Sequence, residues 1–142
     1  MTRAEQTDFL LALFRPLLTL GETAFLLDEC SERHVLNLLD EGKLRGVNIA
    51  KSTETRREIR IYRYSVEHRI MVPLLPLTSI EPERIFPHSR PTILRREAAL
   101  WLACTEQHVS QLALAGPRDS SDVRHRIYRD ALVAFLTSRD IA

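Results

Sequence analysis

Glycine and cysteine are scarce in this 142-residue chain, at four and two residues. Four scattered glycines build no glycine-rich phosphate loop, no G-x-S-x-G turn occurs, and no carboxylate pair falls in a recognisable catalytic pattern. No enzymatic activity is therefore expected. The two cysteines, Cys30 and Cys104, each stand four residues before a histidine, His34 and His108. A structural zinc site needs four ligands and each pair supplies two, so neither a metal nor another cofactor is expected. The cysteines occupy the same place in a repeated stretch and read as two equivalent buried thiols in a reducing compartment rather than as one bridge. Long apolar runs are missing too. The stretch "FLLALFRPLLTL" is broken by Arg15 and Pro16 and falls short of the roughly 20 residues that span a bilayer. Residues 1–8 carry two acids against the single base Arg3 and so lack a net basic flank before that run, which argues against a secretory signal. A cytoplasmic, nucleoid-associated location is expected, with no membrane partner and no small-molecule ligand.

Neither sign of charge dominates, since 20 basic against 19 acidic residues leave a formal net charge of +1. With 44% hydrophobic and 27% charged residues, the chain has the balance of a soluble globular protein able to bury a core. Its basic residues are nevertheless unevenly placed. Segment 43–63 holds seven of them (Lys43, Arg45, Lys51, Arg56, Arg57, Arg60 and Arg63) against Glu54 and Glu58. Segment 118–129 holds four arginines and His125 against Asp119 and Asp122. Two local basic segments on a near-neutral chain are the footprint of a phosphate-contacting surface.

What the chain does have is an internal repeat. "CSERHVLNLLDEG", from Cys30, returns as "CTEQHVSQLALAG", from Cys104, at a spacing of 74. Upstream, "LTLGETAFLL" aligns with "ILRREAALWL" at a spacing of 75, and downstream "RIYR" recurs at a spacing of 66. Differences confined to connections, with element-like blocks intact, are what duplication of a folded unit leaves behind.

Each unit reads as the same four elements. A short helix over 19–27 or 94–103 has apolar residues at helical spacing, among them Leu20, Thr23, Ala24 and Leu27. After a tight turn, Ser31 or Thr105 stands as the N-cap of a second helix, because its hydroxyl can accept an otherwise unpaired backbone N–H. That helix turns Val35, Leu38 and Leu39, or Val109, Leu112 and Ala113, inward, and Gly42 or Gly116 closes it in the left-handed conformation. The period then changes to two. "EIRIYRY" pairs with "LRGVNI" through the turn "KSTETRR", and "VRHRIYR" forms a shorter hairpin through "DSSD". A last helix, 65–72 or 130–139, ends each unit, with Asp130 expected as a cap.

These blocks give four segments: 1–17, an N-terminal amphipathic helix; 18–72, the first unit; 73–91, a linker; and 92–142, the second unit. Five of the seven prolines lie in the linker (Pro73, Pro76, Pro82, Pro87 and Pro91), which favours an extended spacer. Its Leu74, Leu75, Ile80, Ile85 and Phe86 point to packing along the units. Phe9, Leu10, Leu13 and Phe14 share one face of the N-terminal helix, for core packing or a homodimer contact. Units of about 60 residues sit near the lower limit of independent stability, so they are expected to lean on each other or on a second chain.

Helix, turn, capped second helix, glycine, basic hairpin ending in R-x-Y-R and closing helix: this order resembles the winged helix-turn-helix of the MerR and excisionase class. The second unit, with "EAALWLACTEQHVSQLALAG" and "HRIYRDALVAFL", is the closer match, whereas the first has Asp28 and Glu29 where one small residue is usual. The resemblance implies a mainly α fold with small β-hairpin wings, two such units in tandem, a second helix that enters the major groove and a wing that grips the backbone.

Outward positions of the second helix are Glu32, Arg33, Leu36 and Asn37 in the first unit and Glu106, Gln107, Ser110 and Gln111 in the second. Arg33 suits a guanine edge, and Asn37 and Gln111 suit adenine. Ser31 and Thr105, with His34 and His108 in the same helical turn, suit phosphate. Lys51, Arg56, Arg57, Arg60 and Arg63, with Arg124, Arg126 and Arg129, would position the complex without reading sequence. Double-stranded DNA is the expected partner, held by two recognition helices in successive major grooves. Because the copies differ at 33/107, 36/110 and 37/111, unlike half-sites are expected. The resemblance implies a transcriptional regulator or an excisionase-like architectural factor of a phage or mobile element, with a packaging or partition role also open. The competing reading is a duplicated winged helix that binds protein and not DNA, since Glu32, Glu106, Asp40 and Glu41 repel phosphate. The single Trp101 reads as core.

Overall fold

Thr19 ends a short strand and starts a helix. Its hydroxyl accepts from the Glu22 backbone N–H at 3.1 Å, and the Glu22 carboxylate accepts from the Thr19 N–H at 3.0 Å, a reciprocal cap that satisfies two donors the helix cannot. Arg15 fixes that carboxylate at 2.6 Å. Seventy-five residues on, Leu94 replaces the threonine, and only the acidic half of the device remains: Glu97 accepts from the Leu94 N–H and is held by Arg90 at 2.5 Å. The hydrogen bond from Arg90 holds the Glu97 carboxyl below the usual range.

The computed structural model describes residues 15–28, 31–52, 57–86, 89–117 and 126–141. Among them the chain is mainly α, with small antiparallel sheets. The first half runs β1 (Leu17–Leu18), α1 (Leu20–Leu26), α2 (Glu32–Asp40), β2 (Gly46–Asn48), β3 (Ile59–Tyr62) and α3 (Arg63–Met71). A four-residue helix, α4 (Pro82–Ile85), follows with proline at its first position, where no N–H is needed. The second half runs β4 (Thr92–Leu94), α5 (Arg95–Trp101), α6 (Glu106–Gln111), β5 (Arg126–Tyr128), α7 (Arg129–Ser138) and β6 (Asp140–Ile141). The expected N-terminal helix, the hairpin tips 53–56 and 118–125, and Cys30 lie outside the described residues.

The repeat in sequence is a repeat in register. Leu18 faces Ile61 in the first half, and Ile93 faces Ile127 in the second. The N–H of Arg63 donates to Pro16 at 2.8 Å, and that of Arg129 donates to Pro91 at 2.9 Å. Both helix pairs turn through a left-handed residue, Asp28 at φ 67° and Ala103 at φ 53°. Aspartate tolerates this conformation better than alanine, whose Cβ crowds the following carbonyl. Ala103→Gly is therefore expected to raise stability by about 0.5–1 kcal/mol, read from urea unfolding.

The second glycine of the repeat behaves differently from the expectation. Gly42 does close α2, at φ 75°, with Gly42 N–H donating to Leu39 and Lys43 N–H to Leu38. Gly116 closes nothing. Helix α6 has six residues against nine in α2, and its left-handed residue is Ala113, at φ 54°. Gly116 instead matches Gly46. A Cβ on Gly46 would lie 2.6 Å from the Arg60 carbonyl oxygen, and one on Gly116 would collide with that of Arg126, the residue equivalent to Arg60. Asp130 is likewise not a cap: α7 begins one residue earlier, after Tyr128, and Asp130 sits exposed in its first turn.

Both halves close on a shared interior. The C-terminal strand β6 leaves its own half and pairs with β2, giving a sheet in the order β1-β3-β2-β6. Arg45 pairs with Asp140 at 2.8 Å across this junction, and Arg139 donates to the carbonyls of Asn48 and Ala50. Leu17, Val47, Ile49 and Tyr62 of the first half belong to the same buried cluster as Trp101, Leu132 and Leu136 of the second. Trp101 is core, as expected, against Phe86 with ring centroids 5.5 Å apart. The linker packs in part only. Pro82 and Phe86 are buried, whereas Leu74 stands 97% exposed.

Candidate nucleic-acid interface

Helix α2 buries Val35, Leu38 and Leu39 and turns Glu32, Arg33, His34 and Asn37 to solvent. Its cap Ser31 accepts from the His34 N–H at 3.1 Å, which fixes where the helix starts and therefore which side chains face outward. Leu36 is not an outward residue. It is half-buried and packs against the first-half core. The exposed face carries one guanidinium, Arg33, among the acids Glu32, Asp40 and Glu41, the last paired with Lys43 at 3.3 Å.

Helix α6 repeats the plan with less charge. Thr105 accepts from the His108 N–H at 3.1 Å, and Glu106, Gln107, Ser110 and Gln111 are exposed. The hydroxyl of Ser110 donates back to the Glu106 carbonyl at 3.1 Å. His108 departs from its expected role. Its Nε2 lies 2.6 Å from the Ile49 carbonyl oxygen, at the base of the first-half hairpin, so as an Nε2–H donor it joins the halves. His34, the equivalent residue, stays exposed.

The arginines expected to grip a backbone divide into two groups. Lys51 and Arg57 are exposed on the first hairpin, while Arg56 and Arg124 lie outside the described residues. Arg126 is half-buried, with Nη1 donating to the Thr92 hydroxyl at 3.2 Å. Arg63 pairs with Glu67 one helical turn away at 2.7 Å. Arg60 and Arg129 point inward, against expectation. The Arg60 guanidinium donates to Leu102 and Ala103 carbonyls at 2.9–3.1 Å and to Glu58 at 3.3 Å. Arg129 is 5% exposed and bonds Glu83 and the Phe86 carbonyl, which seats α4 on α7. The same R-I-Y-R sequence thus spends its first arginine on the junction in one copy and its last on the linker in the other. Sequence reasoning passed over Arg95 and Arg96. The signal was their position in the first turn of α5, where a cation opposes the helix dipole.

Cys104 sits half-buried in an open groove between the halves, lined also by Arg15, Glu58, Arg60, Thr105 and His108. Burial pushes its thiol from 9.0 up to about 11. The folded state holds this proton more tightly than the unfolded chain, so the associated stability is intact below pH 9 and is lost as pH rises from there toward 11. In a Cys30→Ser background, Cys104 is expected to react with a disulfide reagent at pH 8 on the order of 100-fold more slowly than in the urea-unfolded chain. Among the described residues, no three His, Cys, Asp or Glu side chains gather as metal ligands. No described helix is long and apolar enough to cross a membrane.

Comparison with known proteins returns no matching family model, and no curated protein or solved structure matches the chain significantly.

Proposed function

We propose that the chain is a tandem winged helix-turn-helix protein of the MerR and excisionase type that binds duplex DNA through α2 and α6. In this reading β2 and β3 form the first wing, and β5 belongs to the second. The observation that carries it is the pair of capped helices with solvent-facing polar side chains, Arg33 and Asn37 on one and Gln107, Ser110 and Gln111 on the other. Each follows a helix across a left-handed turn. Arg33 against Gln107 and Asn37 against Gln111 offer different donor and acceptor patterns to base edges, so the two half-sites are unlike. The shared core sets their spacing, as a dimer interface does for single-unit proteins of this kind. A regulator or excisionase-like architectural factor of a phage or mobile element, located with the nucleoid, is the role the resemblance favours.

Phosphate contact in the first half falls to Lys51 and Arg57, since Arg60 is committed elsewhere. Arg57→Ala is expected to lower the slope of log K against log salt by about 0.9, the value for one lost phosphate contact. As an exposed position it should change stability by less than about 0.5 kcal/mol. Fluorescence anisotropy on labelled duplex across a salt series measures the first, and urea unfolding the second. A protein-binding module is the second reading, favoured by the three acids around Arg33 and by the inward arginines. Absence of salt-sensitive duplex binding by the intact chain would select it.

A further inference from the structure

The two halves differ in chemistry at one corner of the helix pair. In the second half Arg95, in the first turn of α5, Ser110 on α6 and Arg126 on β5 line one hollow, floored by Val109, Gly116 and Ile127. Two arginines line it, and no carboxylate is among the described residues that do. Arg126 Nη1 donates to the Thr92 hydroxyl. The Arg95 side chain has no ion pair or hydrogen bond among the described residues. Arg95 and Arg96 also stand in the first turn of α5, where Glu97 is the acid that caps the helix.

In the first half the matching positions are Leu20, Leu36 and Arg60. Both leucines pack against the core, and the guanidinium of Arg60 is turned to the other half. Side-chain chemistry differs between the copies at two of these three positions, and at the third the same arginine has different partners. Packing therefore does not account for Arg95 and Ser110 of the second copy, because leucine serves both positions in the first.

We propose that Arg95, Ser110 and Arg126 form an oxyanion site that takes a phosphate group. In the DNA complex, an application that rests on the functional reading above, this site holds one backbone phosphate beside α6. Guanidinium forks match phosphate oxygens in geometry, and a serine hydroxyl supplies a further donor once it rotates away from the Glu106 carbonyl. Such a contact fixes register and orientation of α6 without reading sequence.

Two titrations of the full chain separate the site from the functional reading. In the first, inorganic phosphate is added and backbone amide shifts are followed by NMR. Shifts are expected at Ser110, Gly116 and Arg126, and they are lost in Arg95→Gln. In the second, mixed-sequence duplex is titrated across a salt series. Arg95→Gln is expected to lower the salt slope by about 0.9, so its affinity falls about 3.5-fold less than wild type between about 50 and 200 mM salt. Arg126→Gln is the companion variant, and Arg95→Gln decides because it breaks no side-chain hydrogen bond or ion pair among the described residues. Either response, to phosphate or in the duplex slope, upholds the site and names its source, free phosphate or nucleic acid. Salt-sensitive duplex binding with an unchanged slope, together with no phosphate shifts, overturns the site and leaves DNA binding standing. No response to either ligand overturns both.

Discussion

Arg60→Ala is expected to cost about 2–4 kcal/mol of stability, because it removes charge-assisted hydrogen bonds to Leu102 and Ala103 and leaves those carbonyls without their donor. For a chain of this size that is a fall in Tm of roughly 5–15 °C. The cost falls on the junction. Arg60 belongs to β3 of the first half, and the carbonyls it binds form the turn between α5 and α6 of the second. Its side chain is 13% exposed, so water replaces the lost donors poorly. Arg60→Lys should recover little, since one ammonium cannot reproduce a planar fork that reaches two successive carbonyls. Thermal unfolding followed by circular dichroism checks the series, with Arg57→Ala as the exposed control. A Tm within about 2 °C of wild type for Arg60→Ala would show that the junction does not depend on this residue.

Gly46→Ala and Gly116→Ala are each expected to cost about 2–4 kcal/mol, at the upper end of what overpacking costs. Gly46 lies between two partner strands, facing Ile61 on β3 and Ile141 on β6, so its backbone cannot withdraw from one without losing pairing on the other. The added methyl would meet a backbone carbonyl and not the movable end of a side chain. Gly116→Ala meets the backbone carbonyl of Arg126 in the same way. Gly42→Ala is the contrast. Open space surrounds it and only the left-handed backbone is disfavoured, for about 1 kcal/mol. Urea midpoints for the three variants give the ranking, and equal costs at 42 and 116 would contradict the assigned roles.

The repeat itself was legible because its physical signals are local. Apolar spacing in 20–27, hydroxyl caps at Ser31 and Thr105, and period-two alternation around R-I-Y-R each depend on a few neighbouring residues, and each appears where the chain predicts it. Gly116 misled because residue identity pairs it with Gly42, while the loss of three residues from α6 moves it into the place of Gly46. The fates of Arg60 and Arg129 were not legible, because their partners lie 42 to 46 residues away. The strand β6 was missed for a different reason: two residues carry no pattern, and they pair only because α7 delivers them to the open edge of β2. At the candidate site the outward faces of α2 and α6 were readable from the caps except at Leu36, which turns to the core, whereas the hollow at Arg95 becomes visible only when both copies are compared in three dimensions.

Selection of bound sequences from random duplex DNA, run at two salt concentrations, tests the central claim most directly. The expected result is a bipartite target with two unlike elements at one fixed spacing, retained at both salts, and with Arg33→Ala relaxing one element while Gln111→Ala relaxes the other. Recovery of no enriched sequence, and no salt-sensitive binding of the pool by the intact chain, would contradict it.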